Sequence, residues 1–159
     1  MTNNKNQILP LRIGVGIILL NKENKVFVGK RIDNPNNYWQ MPQGGVDKNE
    51  DLYEAALREL EEETSIKSVQ LIKKINDWQV YELPDYLIGK IWKGKYRGQK
   101  QKWFVMRFVG IDDEIKINTK NAEFLEWKWI ESSKLTTVVV EFKKKVYQKI
   151  LVNLKEILN

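Results

Sequence analysis

Three closely spaced glutamates are the side chains of this sequence best suited to chemistry. Glu59, Glu62 and Glu63 stand at i, i+3 and i+4, so a helix would present them on one face. Like charges gathered in this way repel one another, and they lose hydration where they are drawn toward a core. A bound divalent cation reverses that penalty, and carboxylate oxygens suit hard ions such as Mg²⁺ or Mn²⁺. The alternative is a solvated acidic helix face neutralised by Lys and Arg.

The segment around these glutamates is rich in acidic side chains, although the protein as a whole is basic. Residues 44–66 contain eight acidic side chains, whereas the whole chain carries 27 Lys and Arg against 21 Asp and Glu. Helical spacing predicts a helix over about 50–64. Its apolar stripe comprises Leu52, Tyr53, Ala56, Leu57 and Leu60. Glu59 and Glu63 fall at the border of this stripe, and Arg58 stands where a bidentate contact could steer a carboxylate.

The residue types that the chain lacks narrow its chemistry further. It has no Cys and no His, which excludes disulfides, thiol catalysis, Cys-built zinc sites, Ser-His-Asp triads and imidazole acids or bases. Carboxylates, Lys, Arg, Tyr, a metal or a cofactor must therefore perform any catalysis. The net charge of +6 and the pI near 9.3 favour phosphate-rich partners, although a Lys-rich domain without such a partner would show the same balance.

The elements around the glutamates predict a mixed α/β fold of the α+β kind, with hairpins and a helix on either side of the sheet. We expect a loop over 32–45 and a last helix from about Phe142 to Leu158. The expected strands are Ile13–Leu20, Lys25–Lys30, Val69–Ile75, Trp78–Leu83, Lys100–Val109 and Phe124–Ile130. We expect the first two of them to form a hairpin.

The length and hydropathy of the chain indicate how many domains it has and whether a segment could cross a membrane. Its 159 residues are most simply one domain, which we place at 10–158 behind a flexible tail at 1–9. The longest apolar run, Ile13–Leu20, has eight residues, too few for the roughly 20 that a transmembrane helix needs. No small-residue cleavage site follows this run. We expect a cytoplasmic protein with no membrane contact.

The acidic segment resembles the Nudix box, whose pattern is G-x5-E-x7-R-E-U-x-E-E-x-G-U, where U is aliphatic. The matching positions are Gly44, Glu50, Arg58-Glu59, Leu60, Glu62-Glu63 and Ile66. Ser65 departs from the pattern, because the family has there a glycine that ends the helix in a left-handed conformation. Since Ser adopts that conformation less easily, we expect a cost of about 1 kcal/mol or a slightly different helix exit.

The resemblance extends to about residues 10–155, and it is to the bacterial RNA pyrophosphohydrolases, a branch also described as dinucleoside polyphosphate hydrolases. The stretches that support it are Trp39–Gly45, Gly98–Phe104, Glu123-Phe124, Trp127–Trp129, Phe142-Lys143 and Val146-Tyr147. This family implies a Nudix-type α/β/α sandwich around a mixed sheet, with a catalytic loop-helix-loop at about 44–66.

The resemblance also implies roles for individual residues. Glu59, Glu62 and Glu63 would ligate Mg²⁺, for which Mn²⁺ or another divalent cation may substitute, with the Gly44 carbonyl nearby. Glu123 matches a further acidic ligand or base, and Arg58 belongs to the catalytic set. The residues implied in substrate binding are Arg12 near the phosphates, Arg31 near the 5′ end, Tyr81 and Phe142 at a nucleobase, and Gln43, Lys100, Lys102 and Lys143.

Each of these residues outside the box also has a plain structural interpretation. Tyr81 and Phe142 would serve equally as core aromatics, Arg12 and Arg31 as solvated surface charges, and Glu123 as an edge-strand acid. One stretch, residues 92–103, supports RNA independently of the resemblance, because it interleaves cations with aromatics. These residues are Lys93, Lys95, Arg97, Lys100 and Lys102 with Trp92, Tyr96 and Trp103. The alternative is a solvated Lys-rich loop with Trp103 in the core.

Three functions compete at this point. The first is metal-assisted removal of pyrophosphate from the 5′-triphosphate end of RNA, which leaves a 5′-monophosphate and promotes mRNA decay. The second is hydrolysis of free diadenosine polyphosphates, and the third is a non-catalytic nucleotide- or RNA-binding module. The complete set of box acids argues against the third, since an idle site has no reason to keep three repelling carboxylates. We favour the first and expect a monomer.

Overall fold

The computed structural model describes residues 9–33 and 36–158, and one mixed sheet dominates them. Its strands are β1 Leu11–Leu20, β2 Val26–Arg31, β3 Trp39–Gln40, β4 Gln43–Gly45, β5 Val69–Lys74, β6 Gln79–Glu82, β7 Gly98–Phe108 and β8 Phe124–Ile130. The helices are α1 Leu52–Thr64, α2 Leu135–Val138 and α3 Lys144–Leu158. Apart from Leu9, the tail predicted at 1–9 lies outside the described residues, as do positions 34 and 35 of the predicted loop.

The sheet is built around one parallel pair. Strands follow the order β3-β2-β1-β7-β5, while β4 pairs with β1, β6 with β7 and β8 with β2. β1 and β7 run parallel from Leu11 opposite Gly98 to Leu20 opposite Arg107. The remaining pairs are antiparallel, and they include the predicted β1–β2 hairpin.

Two apolar cores cover the two faces of this sheet. On one face, α3 packs Tyr147 and Ile150 against Trp103 of β7. On the other face, α1 packs Ala56 and Leu60 against strand residues that include Val15 and Phe104. Strand alternation sends successive side chains of β1 and β7 to opposite cores. The predicted α/β/α sandwich with a mixed sheet is confirmed.

The predicted loop at 32–45 is wrong in part, because β3 and β4 lie within it. Both strands are short, and pairing with residues distant in the sequence holds them in place. Gly45 of β4, for example, stands opposite Gly14 of β1. The last helix starts later than predicted, at Lys144, since Glu141–Lys143 form a 3₁₀ turn. Within the described part of the chain, no helix combines the length and apolar character required to cross a membrane.

Candidate active site

Helix α1 carries three glutamates of the box, Glu59, Glu62 and Glu63. Asp51 caps its N-terminus, where the Asp51 carboxylate accepts a hydrogen bond of 3.1 Å from the Glu54 N–H. Leu60 and Ala56 face the core, so Glu61 is turned to solvent and Glu63 is drawn inward. Only 4% of the Glu63 surface is exposed, whereas Glu62, one residue earlier, leaves 58% of its side chain exposed. The three glutamates therefore share a face but differ in burial.

The helix ends at Ser65, in the left-handed conformation that the box pattern predicts. Ser65 has φ +67° and ψ 7°, and its N–H donates to the Glu61 carbonyl at 2.8 Å. Its hydroxyl donates to the Lys116 carbonyl at 2.9 Å, a hydrogen bond that glycine could not make. Ser65 thus adopts the left-handed conformation itself and adds a hydrogen bond to the Lys116 carbonyl.

Arg58 ties the loop before α1 to the helix itself. Its guanidinium donates to both oxygens of Glu50 at 2.8 and 2.9 Å, to Glu59 Oε1 at 2.9 Å and to the Gly45 carbonyl at 2.9 Å. Charge-assisted bidentate contacts of this kind are strong and fix orientation. Hydrogen bonding from Arg58 lowers the pKa of Glu50 to about 2. Arg58 steers Glu59 as the sequence predicts, and it also holds Glu50.

Glu59 lies against the backbone of β4. A Cβ atom at Gly44 would stand 2.0 Å from the carboxyl carbon of Glu59, so only glycine leaves room for this approach. Burial raises the pKa of Glu59 to about 7, against the opposing charge and hydrogen bond of Arg58. A carboxylate with that pKa can accept a proton near neutral pH.

Glu63 presents a buried oxygen with no partner. Its Oε2 atom has no hydrogen bond to any of the described residues, although the side chain is enclosed. Burial raises the pKa of Glu63 well above its usual value, and the negative charges of Glu59 and Glu123 raise it further. An enclosed carboxylate without a partner is costly in a stable fold unless something else binds it.

The chemistry of the donor set fits a hard divalent cation. Across residues 9–33 and 36–158, no three acidic side chains already converge on a common point for an ion. Glu62 is instead turned toward Arg58 at 3.3 Å, and Glu59 is hydrogen-bonded to the same guanidinium. Glu62 is largely exposed, and the enclosed Glu63 has an oxygen without a partner among the described residues. The side-chain donors at this site are all carboxylate oxygens, as Mg²⁺ and Mn²⁺ prefer.

Glu123 joins this site from the loop before β8. Its carbonyl accepts from the Ile32 N–H at 3.0 Å, and its carboxylate lies 3.4 Å from Arg31 Nη1. Arg31 also donates twice to Asp33 at 2.8 Å, which raises the pKa of Arg31 and lowers that of Asp33. Sequence reasoning missed Asp33, which the resemblance did not include.

A buried cluster of polar and aromatic side chains lies on the α3 face of the sheet. The Tyr81 hydroxyl accepts from Gln99 Nε2 at 2.7 Å, and the Tyr81 and Phe142 ring centroids are 5.7 Å apart. Lys143 Nζ donates to Gln40 Oε1 at 3.1 Å and stands 5.6 Å from the Tyr81 ring centroid. Burial, followed by repulsion from Arg31, lowers the pKa of Lys143 to about 7.

Glutamines belong to this cluster, and sequence reasoning did not assign roles to most of them. Gln101 Nε2 donates to Gln43 Oε1 at 3.0 Å, so the predicted substrate residue Gln43 is held by β7. Gln40, Gln99 and Gln101 are buried. The signal that could have found them is the alternating Gln-Lys-Gln-Lys of β7, which sends Gln to one face of the sheet and Lys to the other.

Arg12 lies at the mouth of the site. Its guanidinium carbon stands 5.3 Å from the ring centroid of Trp92, and Nη1 lies 3.4 Å from Gln99 Oε1. A cavity of about 320 Å³ is lined by Arg12, Glu59 and Tyr96, among others. Arg12, Glu59 and this cavity thus form one continuous surface.

Lys100 and Lys102 lie on the opposite sheet face from Tyr81 and Gln99. Their Nζ atoms stand 4.8 and 4.6 Å from the ring centroid of Trp78. Trp103 is fully buried in the α3-side core. The stretch at 92–103 is therefore not one continuous surface, because strand alternation divides it.

Comparisons with known proteins identify the family of this chain. The family model described as the NUDIX domain matches residues 10–150. The chain belongs to the Nudix family. A protein of Pelagibacter ubique named RNA pyrophosphohydrolase is 64% identical over 159 residues, which is 100% of both chains. Proteins of the same name from Cereibacter sphaeroides (50% identical, 90% of each chain) and Rickettsia bellii (45%, 94% of this chain and 93% of the other) also match.

Solved structures support the Nudix fold at low sequence identity. The dihydroneopterin triphosphate pyrophosphohydrolase of E. coli matches with a TM-score of 0.67 at 18% identity, over 91% of this chain and 99% of the other. An Ap4A hydrolase of C. elegans matches with a TM-score of 0.63 at 18% identity, over 90% and 98%. As a Nudix hydrolase, the chain belongs to a family that generally needs divalent cations.

Proposed function

We propose that this Nudix hydrolase removes pyrophosphate from the 5′-triphosphate end of RNA, leaves a 5′-monophosphate and so promotes mRNA decay. The observation that carries the proposal is the end-to-end similarity, at 64% identity, to the Pelagibacter ubique protein named RNA pyrophosphohydrolase. The buried carboxylates beside Arg12 and Arg31 support it, because they combine an oxygen-only cation site with groups that bind phosphate.

The cation site in this proposal consists of Glu59, Glu62 and Glu63, with Glu123 and the Gly44 carbonyl at its edge. The unpartnered Glu63 oxygen is the structural reason for placing the ion there. Mg²⁺, or Mn²⁺ in its place, supplies neutralisation of phosphate charge and acidification of water when bound. Arg58 restrains Glu59 and Glu50 by hydrogen bonds and so fixes the loop that the site needs.

The reaction is hydrolysis of the anhydride bond between the α- and β-phosphates. A water oxygen forms the new bond to the α-phosphorus, the bond to the bridging oxygen breaks, and pyrophosphate leaves. We assign acceptance of the water proton to a carboxylate, since the chain has no His. The candidates for this role are Glu59 or Glu62, or else Glu123. Arg12 and Arg31 stabilise the charge that develops on the phosphates.

The nucleobase side of the proposal uses the cluster of polar and aromatic side chains on the α3 face. Tyr81 and Phe142 provide ring surfaces, and the buried Lys143 ammonium and Gln43 amide provide hydrogen bonds beside them. Neighbouring polar partners already fix these groups, which limits the entropy lost on binding. We further propose that residues 10–158 act as a single domain, as a monomer and in the cytoplasm.

A paired substrate assay tests the proposal. The purified chain, with Mg²⁺, meets 5′-triphosphorylated RNA and diadenosine tetraphosphate at equal low concentrations, and kcat/KM is measured for each. A large preference for RNA with release of pyrophosphate is the expected result. Preference for the dinucleotide would replace it with clearance of free diadenosine polyphosphates. Activity on neither substrate, from folded protein that binds Mn²⁺, would indicate a binding module.

A further inference from the structure

A basic, partly apolar patch lies on the α1 face of the sheet, beyond the area that α1 covers. We call it the β7 patch, and it comprises Ile13, Lys74, Trp78, Val80, Lys100 and Lys102. Its apolar members are open to solvent, since Ile13 is 43% and Val80 47% exposed. Open apolar side chains beside cations suit a ligand that alternates charged and apolar groups.

The cations of the β7 patch are held in place but are not neutralised. Lys100 and Lys102 both lie over the Trp78 ring, and Lys102 also donates to the Asn76 carbonyl. None of the patch lysines makes an ion pair within the described chain. Burial lowers the pKa of Lys102, the charges of Lys74 and Lys100 lower it further, and the charge of Asp77 raises it. Lys74 is exposed and Lys100 half-buried, so these two cations present a surface for a polyanion, while Lys102 contributes its charge from a buried position, only 7% exposed.

The β7 patch is continuous with the active site. Val15 of β1 stands opposite both Gly44 and Lys102, so these two residues are two strand spacings apart, about 10 Å. The Glu59 carboxylate lies directly over Gly44. Ile13 stands opposite Lys100 and also lines the cavity that contains Glu59. A chain that leaves the carboxylates along this face therefore meets Ile13 first and the lysines next.

We infer that the β7 patch binds phosphates of the RNA strand downstream of its 5′ end. The inference rests on the proposed function and adds a second contact region to it. Phosphates recur at intervals along an RNA strand, so one strand can contact several separated cations at once, which a single anion cannot do. The exposed Ile13 and Val80 side chains are available to pack against sugars and bases between those phosphates.

Dependence on RNA length tests the inference. The substrates are a 5′-triphosphorylated dinucleotide and an RNA of about 20 nucleotides with the same first two bases. At low salt we expect the wild type to prefer the longer RNA by roughly tenfold in kcat/KM. The variant Lys74→Gln should lose part of that preference, and its salt dependence on long RNA should weaken by about 0.7 in log-log slope. Lys149→Gln removes the same charge elsewhere on the exposed surface and is the matched control.

The possible outcomes separate cleanly. Loss of length preference in the patch variant, but not in the control, supports the inference. An equal proportional loss on both substrates overturns it, because the lysines would then act on the 5′ triphosphate itself. A wild type without length preference, or a patch variant that keeps it, also overturns the inference while the proposed function stands. If the wild type cleaves neither RNA, the proposed function itself has failed.

Discussion

Arg58 forms a two-point contact with Glu50, eight residues earlier in the chain, through hydrogen bonds of 2.8 and 2.9 Å. The same guanidinium holds Glu59 and the Gly45 carbonyl. One side chain thus joins the end of the loop before α1, the β4 backbone and the catalytic face of α1. The Arg58 side chain is 28% exposed, so water reaches this junction only in part.

The variant Glu50→Gln should lower the urea midpoint of unfolding at neutral pH. The pKa of Glu50 is lowered to about 2, so its carboxylate stabilises the fold above pH 4.5 and loses that effect as pH falls toward 2. The difference from wild type should narrow between about pH 5 and pH 3. Glu61→Gln, which changes an exposed acid of the same helix, is the control. A Glu50→Gln difference that does not depend on pH would contradict the assigned contact.

Metal-free protein should lose stability as pH rises. Burial raises the pKa of Glu59 to about 7 and that of Glu63 well above its usual value. The folded state therefore binds more protons than the unfolded state above pH 4.5, and the free energy of unfolding falls with pH. From about pH 5 to pH 6.5 in chelator we expect a loss of roughly 1–3 kcal/mol. The absence of His leaves few other groups to titrate in this window.

The variant Glu63→Gln provides the check on this assignment. In chelator it should show a smaller decline across the same pH range and exceed the wild type in stability at the upper end. Urea unfolding followed by Trp fluorescence measures both proteins. A wild type that gains stability from about pH 5 to pH 6.5, or a variant with an identical decline, would refute the assignment.

Ser65 offers a test of the helix exit. Ser65→Ala removes the hydroxyl that donates to the Lys116 carbonyl but keeps the side-chain cost of φ +67°, so we expect a loss of about 1 kcal/mol. Ser65→Gly loses the same hydrogen bond but relieves roughly 1 kcal/mol of left-handed strain, and should stay closer to wild type. Urea unfolding ranks the three proteins. Equal stability of the Ala and Gly variants would contradict this balance.

We expect Trp92 to affect substrate binding through Arg12, whose guanidinium lies over the Trp92 ring. Trp92→Leu removes the cation–π contact, so Arg12 should bind the phosphates less well. We expect a rise in KM of about fivefold with a smaller change in kcat, since the contact is worth roughly 0.5–1 kcal/mol. Tyr86→Leu, at a 64% exposed aromatic of the same connection, is the control. An unchanged KM would show that Trp92 does not position Arg12.

The Nudix box could be predicted from the sequence because its residues lie close together along the chain. Helical spacing placed Glu59, Glu62 and Glu63 together, and the glycine position of the pattern predicted the left-handed turn that Ser65 adopts. Periodicity could not reveal that Glu63 is enclosed while Glu62 is open, because burial depends on how α1 packs over β4. The family resemblance, rather than spacing, selected Glu123.

The parts that sequence reasoning missed depend on long-range pairing. Strands β3 and β4 are too short to show a period, and their partners lie on β1 and β2. The Trp92 ring meets Arg12 across 80 positions of sequence. Lys100 and Lys102 are separated from the Gln99 side of the sheet by strand alternation, which a count of cations cannot show.

The variant Glu62→Gln gives the most direct test of the account. The Glu62 side chain is 58% exposed, so this change should leave the fold and its unfolding midpoint intact. The account predicts that wild-type protein with Mg²⁺ releases pyrophosphate from 5′-triphosphorylated RNA, and that Glu62→Gln does so more slowly by on the order of a thousandfold. Glu61→Gln, the neighbouring exposed acid, should match the wild type. A Glu62→Gln enzyme with a near-native rate would contradict the carboxylate site.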